Sequence, residues 1–192
     1  DMCERDHQGV EELLHRRVDG ILACPAKDTI NYTSYEKVID LAIPLVFFYR
    51  AIHAIEASSF ITDNQNATFA VTQKLIESGY DCVALLASLE PLSEGNERLL
   101  GYQRALQHFG IAFRNDLIIH STLNYSTLVA SVNNLLNHPN PPKAIICNDD
   151  NTAMTVIKIL KDQHIGVPKD ISVIGYNDDP YSSYLTPAIS SI

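Results

Sequence analysis

The sequence predicts an α/β fold built on parallel sheets, and three observations carry the prediction. Short runs that are almost wholly apolar recur along the chain, as in VALLA (Val83 to Ala87) and AIIC (Ala144 to Cys147). Between them lie segments whose apolar residues fall at helical spacing. Glycine or proline stands where several of those segments stop. Strands without polar alternation are buried on both faces, so helices are expected on both sides of each sheet, in a doubly wound arrangement.

Each element follows from this rule in order. Val10, Leu13 and Leu14 mark a first helix, and Val18 to Cys24 a strand. Tyr35, Val38, Ile39 and Ala42 sit at i, i+3, i+4 and i+7, the apolar stripe of a helix that Ile43-Pro44 breaks. Leu45 to Tyr49 and Ser59 to Thr62 read as strands. Asn64 to Ser78 is helical and stops at Gly79, a residue suited to a left-handed cap. Val83 to Ala87 is a strand, and the stripe Tyr102, Ala105, Leu106, Phe109 closes at Gly110. Leu117 to His120 is a strand, and Leu128, Val132, Leu135 and Leu136 form a stripe ending before Pro139. After the strand Ala144 to Cys147, the stripe Ala153, Val156, Ile157, Leu160 leads to the strand Ile171 to Gly175.

The totals bound the function. A chain of 192 residues with 46% hydrophobic and 19% charged residues has enough apolar side chains for a sizeable core. Its formal net charge of -9 repels phosphate, which makes this surface a poor nucleic-acid binder. No apolar run reaches the roughly 20 residues needed to span a bilayer, so no membrane partner is expected. The start, DMCERDHQGVEELLHRR, lacks the apolar core of a secretory signal. Cys3, Cys24, Cys82 and Cys147 are far apart and three lie in apolar runs, which fits reduced thiols in a cytoplasmic protein.

The sharpest feature is a repeat. KAIICNDDN (Lys143 to Asn151) and SVIGYNDDP (Ser172 to Pro180) both drive an apolar run into Asn-Asp-Asp. In parallel sheets of this class ligands bind beyond the carboxyl ends of the strands, where both triplets fall. Metal ligands, catalytic acids, helix caps and hydrogen-bonding amides are all open from the residues alone. Asp149 and Asp150 precede a helical stripe and read mainly as caps. Asp179 before Pro180 reads as a turn or helix start. Paired acids suit general acid–base work, but no nucleophile motif, phosphate loop or metal-ligand cluster accompanies them, so neither an enzyme nor a cofactor is expected.

The ordered set VDGILACP, IPLVFFYR, TDNQNATFAVTQKLIESGYDCVALL, ERLLGYQRAL, PPKAIICNDDNTAM and GVPKDISVIGYNDDPYSSYLTPAISSI resembles the effector-binding domain of the lactose/galactose repressor family of bacterial transcription regulators. The resemblance covers nearly the whole chain. It implies a periplasmic-binding-protein-like fold, two α/β subdomains with a ligand cleft between them. Residues 1–62 would be the later part of the first subdomain, 63–188 most of the second, and 189–192 the start of a return crossover. It also implies that the family's helix-turn-helix, which binds operator DNA, lies outside this chain, and that the protein is a homodimer, through faces flanking Val18 to Cys24. The variant DNxxAT at Asp63 to Thr68, with AIPLVFFYR, is similar to maltose-regulon repressors.

The resemblance further implies the pocket residues. Arg98, in RLLGY, falls on an arginine that grips effector oxygens; its planar fork suits vicinal hydroxyls or a carboxylate. Asn148 falls on a position that contacts the effector in sugar-responsive members, where an amide matches a hydroxyl's dual character. Asn177 stands where the family usually has Asp, keeping an acceptor but losing the charge. Tyr49 ends a strand facing the implied cleft beside Arg50, and Glu94 lies in a loop where other members place effector contacts. Leu123 occupies a position that is aromatic in some members, which disfavours a purine. The expected partner is a small-molecule effector of the sugar class. A free periplasmic-type solute-binding protein of the same fold is the competing reading.

Overall fold

The computed structural model describes residues 2–88, 91, 92, 94–120 and 125–192, apart from the side chains of Met2 and Cys3. Leu123 lies outside the described residues. The chain divides into two compact units, Asp1–Asp63 with Glu90–Glu94, and Asn64–Leu89 with Gly95–Ile192.

The smaller unit holds helices α1 (Met2–His15) and α2 (Thr33–Asp40) and strands β1 (Ile21–Ala23), β2 (Leu45–Phe48) and β3 (Ser58–Phe60). The strands form a parallel sheet in the order β1-β2-β3. One face is closed: Ile21, Ala23, Leu45 and Phe47 pack with Val10 of α1 and with Tyr35 and Val38 of α2. Tyr35 meets Phe47 edge-on, with ring centroids 5.4 Å apart.

The other face departs from the expectation of cover on both sides. Leu22 and Phe60 are 74% and 75% exposed, and Phe48 is exposed beside them. An apolar run shows that a strand can be buried on two faces; it does not supply the second layer. Among the described residues of this unit, both helices contribute to the single core on the opposite face.

The larger unit carries helices α3 (Asn64–Glu77), α4 (Gly95–His108), α5 (Tyr125–Leu136) and α6 (Asp150–Asp162), and strands β4 (Val83–Ala87), β5 (Ile118–His120), β6 (Ala144–Ile146), β7 (Ser172–Gly175) and β8 (Ser190–Ser191). Its five strands are parallel in the order β5-β4-β6-β7-β8. Here both faces are covered. Val83, Leu85, Ala87, Ala144 and Ile146 pack against Leu75 of α3 and Tyr102 and Leu106 of α4. Ala84, Leu86, Ile145 and Val173 pack against Leu128 and Val132 of α5 and Val156 and Leu160 of α6. Each fully buried Leu or Ile in these layers is worth about 1.5–3 kcal/mol of transfer free energy, so this sheet is the chain's main source of stability.

Two glycines set the geometry of the covering helices. Gly79 ends α3 with φ +93°, a conformation that side-chain-bearing residues avoid. Gly101 lets α4 press onto α3, because a Cβ there would collide with the Gln65 carbonyl oxygen and crowd the Phe69 nitrogen.

Candidate effector-binding site

Arg98 lies in the first turn of α4 and is 3% exposed. Its Nε donates to Asn64 Oδ1 at 3.1 Å. Its Nη1 donates to the Asn148 carbonyl oxygen and, at 3.3 Å, to Asn148 Oδ1. The guanidinium carbon sits 3.5 Å from the centre of the Tyr176 ring, a cation–π contact. All these partners are neutral, and no carboxylate pairs with Arg98 among the described residues. Nη2 has no protein acceptor among them either.

The sheet explains why these residues meet. Asn148 follows β6 and Tyr176 follows β7, at the carboxyl ends of neighbouring strands. Ile146 and Ile174, two residues earlier on each strand, face α3 and α4, and strand alternation turns Asn148 and Tyr176 to the same side. Asn64 opens α3, so a helix start and two strand ends supply the arginine's neighbours. The family motif points to Arg98 and Asn148; Asn64 and Tyr176 went unread as site residues. Asn64 follows Asp63 at a helix start, and Tyr176 immediately precedes Asn177. The sequence reads Asn64 as a helix start and leaves Tyr176 just after the strand Ile171 to Gly175, with nothing there to say that Arg98 reaches either.

The acids of the triplets have different tasks. Asp149 is the N-cap of α6, accepting from Thr152 N–H at 2.6 Å, as expected. Asp150 corrects the expectation of a second cap. It is 1% exposed, its Oδ1 accepts from Ser191 Oγ at 2.8 Å, and its Oδ2 accepts from Asp179 N–H at 2.6 Å. With Asp149 already serving the helix end, the next side chain turns inward, toward the loop after β7 and toward β8. Asp179 caps the short 3-10 turn Pro180–Tyr184, accepting from Tyr181 N–H at 2.9 Å.

Asn177 is exposed and has φ +89°; its N–H donates to the Ile192 carbonyl oxygen at 2.9 Å. Asn tolerates this left-handed conformation better than most residues. It is not among the partners of Arg98. Asn148, by contrast, is bonded to that arginine directly, so the two leading amides are held in different ways.

In the smaller unit, the structure brings Tyr49 and Glu94 together through Arg50. Arg50 Nε lies 3.1 Å from Glu94 Oε1, its Nη1 donates to the Pro25 carbonyl oxygen at 3.1 Å, and its guanidinium carbon is 4.8 Å from the Tyr49 ring centre. Tyr49 has φ +64°, and its N–H donates to the Phe60 carbonyl oxygen at 2.9 Å. The sequence puts Arg50 next to Tyr49; its role as the link to Glu94 depends on a residue 44 positions away, a separation read directly from the numbering.

Cys147, just before Asn148, is buried, and that burial pushes its thiol far above the usual range. It stays protonated at neutral pH and is a poor nucleophile. Among the described residues no group of three His, Cys, Asp or Glu is placed to hold a metal ion. No described helix is long and apolar enough to cross a membrane.

Comparison with known proteins agrees with this architecture. Residues 72–192 match the family of periplasmic binding protein-like domains. The chain is 26% identical over 187 residues to a probable HTH-type transcriptional repressor, ExuR, of Bacillus subtilis, covering 97% of this chain and 56% of that protein. It is 27% identical over 192 residues to the ribose operon repressor of Haemophilus influenzae, covering 99% and 56%. The chain thus spans little more than half the length of these relatives. It superimposes with a TM-score of 0.84 on a crystal structure of a sugar-binding transcriptional regulator of the LacI family from Escherichia coli, complexed with phosphate, at 27% identity, covering 98% of this chain and 68% of that one. With its parallel sheets, its ordered motifs and this match over most of the larger unit, the chain belongs to the periplasmic binding protein-like domain family.

Proposed function

We propose that this chain is the effector-sensing part of a transcription repressor, and that its effector is a sugar or sugar derivative. One observation carries the reading: a buried arginine at the carboxyl edge of a parallel sheet, oriented by two asparagines and a tyrosine ring, with its Nη2 unspent. A planar fork held in this way is preorganised for ligand oxygens. Arg98, Asn148 and Asn177 are assigned as effector contacts in the larger unit, and Tyr49 and Glu94 in the smaller. The relatives are named as regulators, which favours this reading over a free solute-binding protein and over an enzyme.

Effector binding would favour one state of the full regulator over another, and only a difference in affinity between those states can transmit the signal. The regulator would work in the cytoplasm as a homodimer and grip operator DNA through a separate helix-turn-helix. Within the family, the DNxxAT variant leans toward the maltose-regulon repressors.

The test uses the full-length protein, DNA from upstream of its own gene, and a library of sugars, sugar acids and sugar phosphates. A small molecule that changes the DNA affinity and also raises the melting temperature supports the reading. A ligand at 100 times its dissociation constant should add about 2.7 kcal/mol of stability. Failure to bind any DNA, or catalytic turnover of a bound sugar, would contradict it.

A further inference from the structure

We infer that Asp150 is a positioning residue of the effector site. Its buried carboxylate holds the loop Asn177 to Asp179 in shape and joins that loop, strand β8 and the start of α6 into one piece. The role rests on the effector-site reading above, in which Asn177 is assigned as a contact.

The first observation is the backbone of the loop. Asn177 and Asp178 have φ +89° and +50°. Among the described residues six non-glycine residues carry positive φ, and only these two are neighbours, so the chain bends the wrong way twice in succession at this point alone. Asn and Asp enter the left-handed region at less cost than other residues, yet such a conformation persists only where its surroundings over-determine it. Both residues are exposed, so side-chain packing gives it little support.

The second observation is where three successive N–H groups of the loop go. Asn177 N–H donates to the Ile192 carbonyl oxygen at 2.9 Å, Asp178 N–H to Ser191 Oγ at 2.9 Å, and Asp179 N–H to Asp150 Oδ2 at 2.6 Å. Ser191 Oγ in turn donates to Asp150 Oδ1 at 2.8 Å. Two of the three ties therefore end on one carboxylate, directly or through a single hydroxyl. An acceptor-only group suits this place, because both groups that face it are donors.

The third observation is how Asp150 is itself fixed. It is 1% exposed, opens α6 two residues after Asn148, and donates its own N–H to the Tyr176 carbonyl oxygen at 3.1 Å. A Cβ on Gly175 would lie 1.8 Å from Asp150 Oδ1, so the end of β7 has the shape that admits the carboxylate. Strand β8 is at the edge of its sheet and pairs with β7 through two residues. The carboxylate adds a side-chain anchor to that short ladder and places Asn177 and Asn148 on a common frame.

The experiment is amide hydrogen exchange, read residue by residue by NMR on the full-length protein that carries this chain, with no ligand added. In the parent, Asp178 and Asp179 N–H should exchange at least about tenfold more slowly than an unprotected amide, since each is held by a hydrogen bond. Ser191→Ala should release Asp178 and leave Asp179 slow. Asp150→Ala should release both, and the backbone carbon shifts that report the sign of φ should move at Asn177 and Asp178. Asp150→Asn should restore the slow exchange, because its amide oxygen accepts from Asp179 N–H and its NH2 donates to Ser191 Oγ. Leu85 and Leu86 of β4 should stay protected in every variant, which separates release of the loop from general unfolding. Ser191→Ala keeps the test decisive where Asp150→Ala fails to fold.

Fast exchange of Asp178 and Asp179 in the parent overturns the inference. So does slow exchange of Asp178 in folded Ser191→Ala, or Asp150→Asn as fast as Asp150→Ala. Because no effector is needed, the loop can prove independent of Asp150 while the sensing reading stands. Should the loop be released as expected but the full-length protein bind no DNA, the sensing reading falls, and with it the role of Asp150 in an effector site.

Discussion

Asp150 Oδ1 accepts a hydrogen bond from Ser191 Oγ at 2.8 Å, tying the first turn of α6 to the last strand. The other carboxylate oxygen accepts from Asp179 N–H, and Asp178 N–H donates to the same Ser191 hydroxyl at 2.9 Å. One buried acid thus fastens the triplet after β7 to the triplet after β6. Gly175 makes room for it, since a Cβ there would collide with Asp150 Oδ1. The loop that presents Asn177 is positioned from below by a residue that need never touch ligand.

Replacing Asp150 by Ala should therefore destabilise the chain by about 2–4 kcal/mol, since two donors lose their acceptor and one of them is backbone. Gly175→Ala should cost a comparable amount by forcing the carboxylate aside. Urea unfolding of each variant measures this; a loss below about 0.5 kcal/mol in Asp150→Ala would show that water replaces the carboxylate fully.

The contact of α3 with α4 makes a second prediction. Gly101→Ala drives a methyl group into the α3 backbone and should cost about 1–3 kcal/mol. Gly79 has open space around it and only its positive φ to defend, so Gly79→Ala should cost nearer 1 kcal/mol. Thermal denaturation of the pair gives the order. Equal losses would mean that the two helices can separate slightly at no cost.

Alkaline pH makes a third. Burial raises the thiol pKa of both Cys82 and Cys147 above the usual value of 9.0. The unfolded thiols ionise first, so their contribution to stability is complete below pH 9 and is lost as pH rises through it. The slope approaches about 1.4 kcal/mol per pH unit for the fully buried Cys147 thiol, and Cys82 adds to it in the same direction. The Cys82→Ala, Cys147→Ala double variant should be nearly flat between pH 9 and 10, since the buried Tyr102 phenol joins only above its usual value of 10.0. A double variant as steep as the parent would place the alkaline sensitivity elsewhere.

Acid titration makes a fourth. The hydrogen bond from Arg114 holds the Asp116 carboxyl at about 2, with His138 Nε2 2.7 Å from the same carboxylate. This group favours the folded state above pH 4, and the contribution fades as pH falls through about 2. Carboxyl NMR of the folded chain should give a midpoint near 2 for Asp116 and a rise toward the ordinary range in Arg114→Gln. An unchanged midpoint in that variant would transfer the effect to another neighbour.

The larger sheet was legible in the sequence because its strands are nearly pure apolar runs. Val83 to Ala87 was delimited to the residue, and Gly79 and Gly110 stand where α3 and α4 end, both with positive φ. The exposed face of Leu22, Phe48 and Phe60 was not legible, since an apolar run looks the same whether its second face is covered or bare. Asp150 was misread for a local reason: an acid at a helix start resembles a cap, and only its partners 29 and 41 positions away distinguish it. Arg98 was readable from its motif. Its neighbours were not, because Asn64 and Asn148 lie 34 and 50 positions from it and meet it only through the winding of the sheet.

The central claim is that Arg98 binds the effector. Calorimetry of the switching ligand against the full-length protein and its Arg98→Gln variant tests it most directly, with circular dichroism to confirm that the variant is folded. We predict that the folded variant loses at least tenfold in affinity, as expected when a charged, preorganised donor is removed. An affinity unchanged within twofold would contradict the claim and move the effector to another part of the molecule.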